Sequence, residues 1–346
     1  MTRTSERTLA QRDLNRAMLA RQMLLEPVST TIPRVLERMG GLQAQYAPSM
    51  YIGLWTRKVG FERDQLDRAL RRRVVVQGTL MRETIHLVSK RDYWPMAVAV
   101  RRARREWWVR VAAGHDPRGM ERAAERLRAR LAEGPVARAE LEGIVGKGHV
   151  AGIGLWLDLV RVPPSGTWER RRADLFGSAE HWIGAPREPL SEAEAMAHLV
   201  RRYLAGFGPA SIKSIAGFTG IRLTELGPAF ELLSLRRFRD EDGHELLDLP
   251  RAPLPPADTP ATVRFLPIWD AMLLVHARRT GVLPEKYRPL VFNSRTPQSV
   301  ATFLVEGAVA GTWRYEGGRI EPFERLARTA SRALAEEAER LAELHR

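Results

Sequence analysis

A chain of 346 residues, 44% of them hydrophobic, has material for roughly two to four small modules with cores of their own, so disorder is not its default state. It contains no cysteine, which excludes disulfides, cysteine-ligated zinc and iron–sulfur clusters. Lysine plus arginine, 55, exceed aspartate plus glutamate, 41, giving a net charge of +14 that favours a polyphosphate partner through counterion release.

A GC-rich genome is the competing source of that surplus, because only Lys58, Lys90, Lys147, Lys213 and Lys286 are lysines. The opening residues carry no apolar leader, and no apolar run reaches the roughly 20 residues of a membrane span, so a cytoplasmic location with no membrane partner is expected.

Along the chain, Glu6 to Met23 repeats apolar residues near a helical period, with Pro27 as a stop. A second helix is expected from Thr31, with Pro33 in its first turn and Gly40-Gly41 ending it. Arg63 to Arg72 reads as a short helix, and Val74–Gln77 and Glu83–Val88 as two strands joined around Gly78. Helices followed by a strand pair are the order of a winged helix. Arg101 to Arg130 holds ten arginines interleaved with Trp107 and Trp108; a basic face with aromatic anchors competes there with an ordinary solvated helix. Val136 to Leu159 gives two more helical stretches. Val160 to Arg172 then places a tight turn between extended pieces and ends in Arg170, Arg171 and Arg172, as a wing on a phosphate backbone would.

Ser191 and Glu194 form a capping-box pattern for a helix to Leu204. Further helices to Gly217 and from Thr224, then a hairpin from Leu235 to Leu249 around Asp242-Gly243, repeat the module. Pro250 to Pro260, with five prolines, reads as a linker; at least three strands lie between Thr302 and Glu321, and an amphipathic helix runs from Phe323 to His345. The expected architecture is α+β: a winged-helix-like module at 1–130, a second at 131–190, a third at 191–255, and a β-rich region with a terminal helix at 256–346, around a basic concave channel.

Gln43 and Gln45 are two apart, between Gly41 and Pro48, residues that discourage helix. In extended backbone both amides would share one side. The plain alternative is a pair of polar loop residues. Chemically, two amides suit a reaction in which the substrate breaks its own bond. An alkylated purine is a cationic leaving group, its loss passes through an oxocarbenium-like sugar, and amide dipoles orient water and face the developing charge without acting as a strong base. Arg82, Thr84 and His86 alternate on an expected strand and are candidates to line the channel beside the glutamines, or to form a structural hydrogen-bonded patch. The eight histidines show no metal-ligand spacing, and His86 and His276 are far apart, so no metal is expected. No lysine has an obvious nucleophile setting, which favours attack by water over a Schiff base. Trp313-Arg314 suits stacking on a base, while a core position is the commoner fate of such a tryptophan.

The segments Gly41-Leu-Gln-Ala-Gln-Tyr46, Thr79-Leu-Met-Arg-Glu-Thr-Ile-His-Leu-Val88, Phe207-Gly-Pro-Ala-Ser211 and Gly307-Ala-Val-Ala-Gly-Thr-Trp-Arg314, in this order over nearly the whole chain, resemble the AlkZ/YcaQ-like family of bacterial winged-helix DNA glycosylases. The paired glutamines place the chain nearer the AlkZ-like branch; the sister branch has aspartate second. The resemblance implies tandem winged-helix units and excision of N3- and N7-alkylated purines, in some members from interstrand crosslinks. It makes Gln43 and Gln45 the catalytic pair and puts a duplex-probing hairpin near Val305 to Trp313. DNA contacts are expected from Arg82, His86, Arg161, Arg170, Arg171, Arg172, Lys213, Trp313 and Arg314. The expected enzyme is a monomeric, cofactor-free, monofunctional glycosylase acting on double-stranded DNA that contains alkylated purines. Glu83 stands where the family usually has glycine, Ser214 where it has aspartate, Phe218 for tryptophan and Arg278 for an acid, departures that bear on substrate choice. Two other readings remain at this level: a non-catalytic winged-helix DNA-binding protein or regulator, and a protein that sequesters an alkylating natural product.

Overall fold

The computed structural model describes residues 7–111, 116–172, 174–186, 188–274, 281–292, 299–315 and 318–346; His276 and Arg278 lie outside them. The architecture is α+β. Helices α1 (Gln11–Arg21) and α2 (Ile32–Met39) lead to a two-residue strand β1 (Leu42–Gln43), then α3 (Ala47–Trp55), α4 (Arg63–Arg71), β2 (Val75–Thr79) and β3 (Ile85–Ser89). Next come α5 (Lys90–Val111), α6 (Pro117–Leu131), β4 (Val136–Ala137), α7 (Arg138–Val145), β5 (Leu159–Arg161), β6 (Leu175–Ser178) and α8 (Ala179–Ile183). The third unit holds α9 (Glu192–Phe207), α10 (Ile212–Thr219), α11 (Gly227–Glu231), β7 (Arg236–Arg239) and β8 (Glu245–Asp248). The chain ends with β9 (Arg264–Leu266), α12 (Ala271–Leu274), α13 (Arg288–Val291), β10 (Thr302–Val305), β11 (Ala308–Trp313), β12 (Ile320–Pro322) and α14 (Arg328–His345).

Helix, helix, then a strand pair recurs as α3–α4–β2–β3, α6–α7–β5–β6 and α10–α11–β7–β8. The first two pairs are fused: β2 pairs with β5 through Gln77 opposite Arg161 and Gly78 opposite Val160, giving one antiparallel sheet in the order β1-β3-β2-β5-β6-β4. That sheet crosses the boundary expected at 130/131. The C-terminal region shares cores with the beginning of the chain as well. Phe265, Phe303 and Trp313 of the β12-β11-β10-β9 sheet and Leu334, Leu341 and Leu344 of α14 pack with residues of α2, α3 and α4. Leu19 and Leu24 pack against Leu266, Leu304 and Val309.

Local chemistry sets several boundaries. Gly40, at φ +75°, ends α2 in the left-handed conformation that favours glycine. Ser191 Oγ accepts from Glu194 N at 3.3 Å while the Glu194 carboxylate accepts from Ser191 N at 3.0 Å, the capping box its sequence announces. On α9 the buried positions Ala195, Met196, Leu199, Val200, Tyr203, Leu204 and Phe207 follow the helical period, and this face packs against α5, the helix that brings its arginines and tryptophans to the sheet.

Candidate active site

The glutamine segment lies at the edge of the six-stranded sheet, with Leu42 opposite Leu87 and Gln43 opposite His86. The pairing then changes character. Ala44 N donates to Ile85 O at 2.7 Å, but Ile85 N donates to the side-chain Oε1 of Gln45 at 3.1 Å. Gln45 therefore replaces a ladder carbonyl with its own amide, which fixes that amide's orientation. Gln43 is 4% exposed, and its Oε1 accepts from Arg82 Nη2 at 3.2 Å. No other hydrogen bond of either glutamine side chain occurs among the described residues, so each keeps its NH₂ group and the second lone pair of its carbonyl.

Arg82 belongs to a short turn before β3 rather than to the strand. Arg82 and Glu83 both sit in the left-handed region, at φ +52° and +58°, where a side chain carries a cost of about 1–2 kcal/mol per residue. The turn sends their side chains to different places. Arg82 folds inward, donates from Nη1 to Phe218 O, and lies 5.2 Å from the Phe218 ring centroid, tying α10 to the glutamine strand. Burial pulls its pKa down to about 10. Glu83 Oε1 accepts from Arg104 Nε at 3.0 Å, and Arg104 also donates to Thr79 O at 2.8 Å and Gly154 O at 3.1 Å. Burial, opposed by Arg104, pushes the Glu83 carboxyl up from 4.5.

His86 is 2% exposed and stays neutral; burial, then the nearby Arg82 charge, drives its pKa down to about 3. Its Nδ1 donates to Thr84 O at 3.0 Å, because a carbonyl only accepts, which leaves Nε2 as the unprotonated nitrogen.

Gln45 opens on a cleft of about 710 Å³ whose walls include Glu83, Ile85, Trp107, Lys147 and Arg161. Trp107 is 45% exposed there. Burial lowers the Arg161 pKa to about 10; its guanidinium lies 4.8 Å from the Phe176 ring centroid, and its Nε has no acceptor among the described residues. Arg138 and Glu142, which also line the cleft, pair with each other at 2.9 Å.

The other expected contacts fall in several places. Arg171 donates to the hydroxyl of Tyr46, the residue after Gln45, at 3.1 Å, so the arginine run reaches the glutamine segment. Arg170 pairs with Asp174 at 2.9 Å, and Arg172 is exposed. Lys213 is exposed in the first turn of α10, and Arg314 is exposed just after β11. Trp313 is a core residue: it is 4% exposed and its Nε1 donates to Leu266 O at 3.0 Å and Thr302 O at 3.1 Å. The Val305–Trp313 hairpin does not project either, since Asn15 Nδ2 on α1 donates to Gly307 O at its tip at 2.9 Å. His86 and Arg82 lie beside Gln43, the His86 ring buried and Arg82 bonded to Gln43 Oε1 and Phe218 O. Sequence reasoning missed the roles of Arg104 and Tyr46; the adjacency of Tyr46 to the motif was the available signal.

A family model described as DNA glycosylase AlkZ-like matches residues 36–344. Among solved structures, the Streptomyces sahachiroi DNA glycosylase AlkZ superposes with a TM-score of 0.82 at 20% identity, over 97% of each chain, which establishes a shared fold. No curated protein sequence matches significantly. A match over nearly the whole length decides between the readings that the sequence left open: the chain belongs to the AlkZ-like family of DNA glycosylases and is a DNA-acting enzyme.

Proposed function

We propose that this glycosylase hydrolyses the N-glycosidic bond of N3- and N7-alkylated purines in duplex DNA, with Gln43 and Gln45 orienting the attacking water. The observation that carries this reading is the pinning of both amides: Arg82 holds Gln43 Oε1 and the Ile85 N–H holds Gln45 Oε1. Each glutamine then presents a free NH₂ group and one carbonyl lone pair in a fixed direction, so little reorganisation is needed when the sugar turns cationic. Gln45 and Arg161 line the cleft in which the substrate is placed, and the Arg161 guanidinium supplies positive charge there for a purine acceptor atom or a phosphate oxygen. Gln43 lies deeper and acts beside His86. The arginine run at Arg170–Arg172 and the exposed Lys213 and Arg314 are assigned to the DNA backbone.

The test is incubation with duplex DNA carrying N7-methylguanine, followed by quantification of abasic sites. Wild type should release the base, and Gln43→Ala and Gln45→Ala should each lower the single-turnover rate by roughly 100-fold or more, the cost of removing one preorganised dipole. DNA affinity should remain within about threefold, since phosphate contacts dominate it. Undiminished release by both variants would remove the glutamines from the mechanism.

A further inference from the structure

We infer that Glu83 is the group that takes the proton from the attacking water, an inference that rests on the hydrolytic reading above. Two amides orient water but cannot accept its proton at neutral pH. A carboxylate two residues from the backbone N–H that pins Gln45, on the wall of the same cleft, supplies the missing function. Its arrangement has the features such a group needs. Oε1 is fixed by Arg104 Nε at 3.0 Å, while no hydrogen bond of Oε2 occurs among the described residues. Arg104 is itself held by the carbonyls of Thr79 and Gly154, so the carboxylate cannot swing away from the cleft without leaving a 7% exposed guanidinium uncompensated. The backbone holds Glu83 at φ +58°, directly after the left-handed Arg82. A strained turn that aims one side chain at Gln43 and the next at the Gln45 cleft is costly for a role that neutralisation of Arg104 alone would fill from an unstrained position.

The step balances simply. The bond between the sugar C1′ and the purine nitrogen breaks, and its electron pair neutralises the cationic alkylpurine, which leaves as the free base. The water oxygen bonds to C1′, and its proton passes to Glu83 Oε2 and from there to solvent, leaving an abasic sugar. The charged group in contact with Glu83 is Arg104 on α5, and Arg82 is its neighbour in the turn; Arg161 on β5, Arg138 and Glu142 on α7 and Lys147 beyond α7 line the same cleft, and His86, close enough to feel the Arg82 charge, is neutral. Burial opposes the ionised carboxylate and Arg104 favours it.

The experiment compares wild type, Glu83→Gln, Glu83→Gly and Gln45→Ala in single-turnover release of N7-methylguanine from pH 4.5 to 8. Glu83→Gln keeps the shape and one acceptor for Arg104; Glu83→Gly relieves the left-handed strain and guards against a variant that merely fails to fold. Both should lose about 100-fold at pH 7, at the lower end of what a general base contributes, with DNA affinity within about threefold. The wild-type rate should fall below an acid-side pKa, and that limb should vanish in both variants. A purely structural Glu83 would instead give a lower melting temperature with the rate and acid limb preserved, which overturns the inference. If Glu83→Gln loses the limb but Gln45→Ala retains full activity, the glutamine reading fails while the proton acceptor stands. Wild type that releases no base overturns both.

Discussion

His86 shows how tightly one residue beside the glutamines is committed. Burial drives its pKa to about 3 in the fold, whereas an unfolded chain protonates histidine near 6.5. A folded pKa depressed below the unfolded one means that the denatured state binds the extra proton throughout this window. Stability present above pH 6.5 is therefore lost as pH falls toward 3, at up to about 1.4 kcal/mol per unit. Urea unfolding should show wild type losing about 2 kcal/mol more than His86→Gln between pH 7 and 5. Equal losses would mean that the ring titrates freely. At this scale the sequence showed the motif and the extended backbone at Gln43; Gln45 falls in a bend past the strand end, and Pro48, read as discouraging helix, sits in the first turn of α3. The sequence did not show which way Arg82 turns. Alternation along β3 put Arg82 and His86 on one face, but the left-handed pair Arg82–Glu83 breaks the strand before it reaches them both. Glu83 is a further case: neither its left-handed backbone nor its ion pair with Arg104, 21 positions along the chain, is announced by its sequence neighbours.

Among the elements, the β10–β11 hairpin has the clearest structural function. Gly307 sits at φ +81°, and a Cβ there would lie 2.5 Å from Leu19 Cδ1, 2.8 Å from Arg16 Nη1 and 2.9 Å from Asn15 Oδ1 on α1. Gly307→Ala combines left-handed strain with overpacking and should cost about 2–5 kcal/mol in urea unfolding. A loss under about 0.5 kcal/mol would show that the tip is not seated as described. Strands and helices with strong local signals were legible in the sequence: α2 with its proline and glycine, α9 with its capping box, and the hairpin around Asp242-Gly243. The three-residue β9 was not, since Arg264–Leu266 has no alternation to read and is a strand only because β10 pairs with it. From its sequence Trp313 has a core position as its commoner fate and a wedge as the rival; the acceptors Leu266 O and Thr302 O, distant in sequence, decide for the core.

For the whole molecule, the question left by composition was whether the net charge of +14 is a genomic bias or a DNA footprint. Ion pairs spread through the fold occupy many arginines. Arg21 with Asp248 and Arg57 with Asp270 are buried, and Arg102 bonds Glu106, Glu192 and Glu225. Those charges are neutralised internally and give no attraction to a duplex. Arg171 and Arg172 differ, being exposed, with Arg171 resting on Tyr46 at the mouth of the glutamine segment. If this loop lies on phosphates, removing each phosphate-bound guanidinium should lower the salt slope of log K by about 0.9. Titration of unmodified duplex from about 50 to 200 mM salt should thus give the Arg171→Ala, Arg172→Ala double variant a slope shallower by about 1–2 units. The weakening should be alike for every DNA sequence, because phosphates carry no base identity. The single-turnover release rate at saturating enzyme should change little, since neither guanidinium reaches the cleft beside Gln45. An unchanged slope would place the DNA on another face and return the arginine run to the genomic explanation.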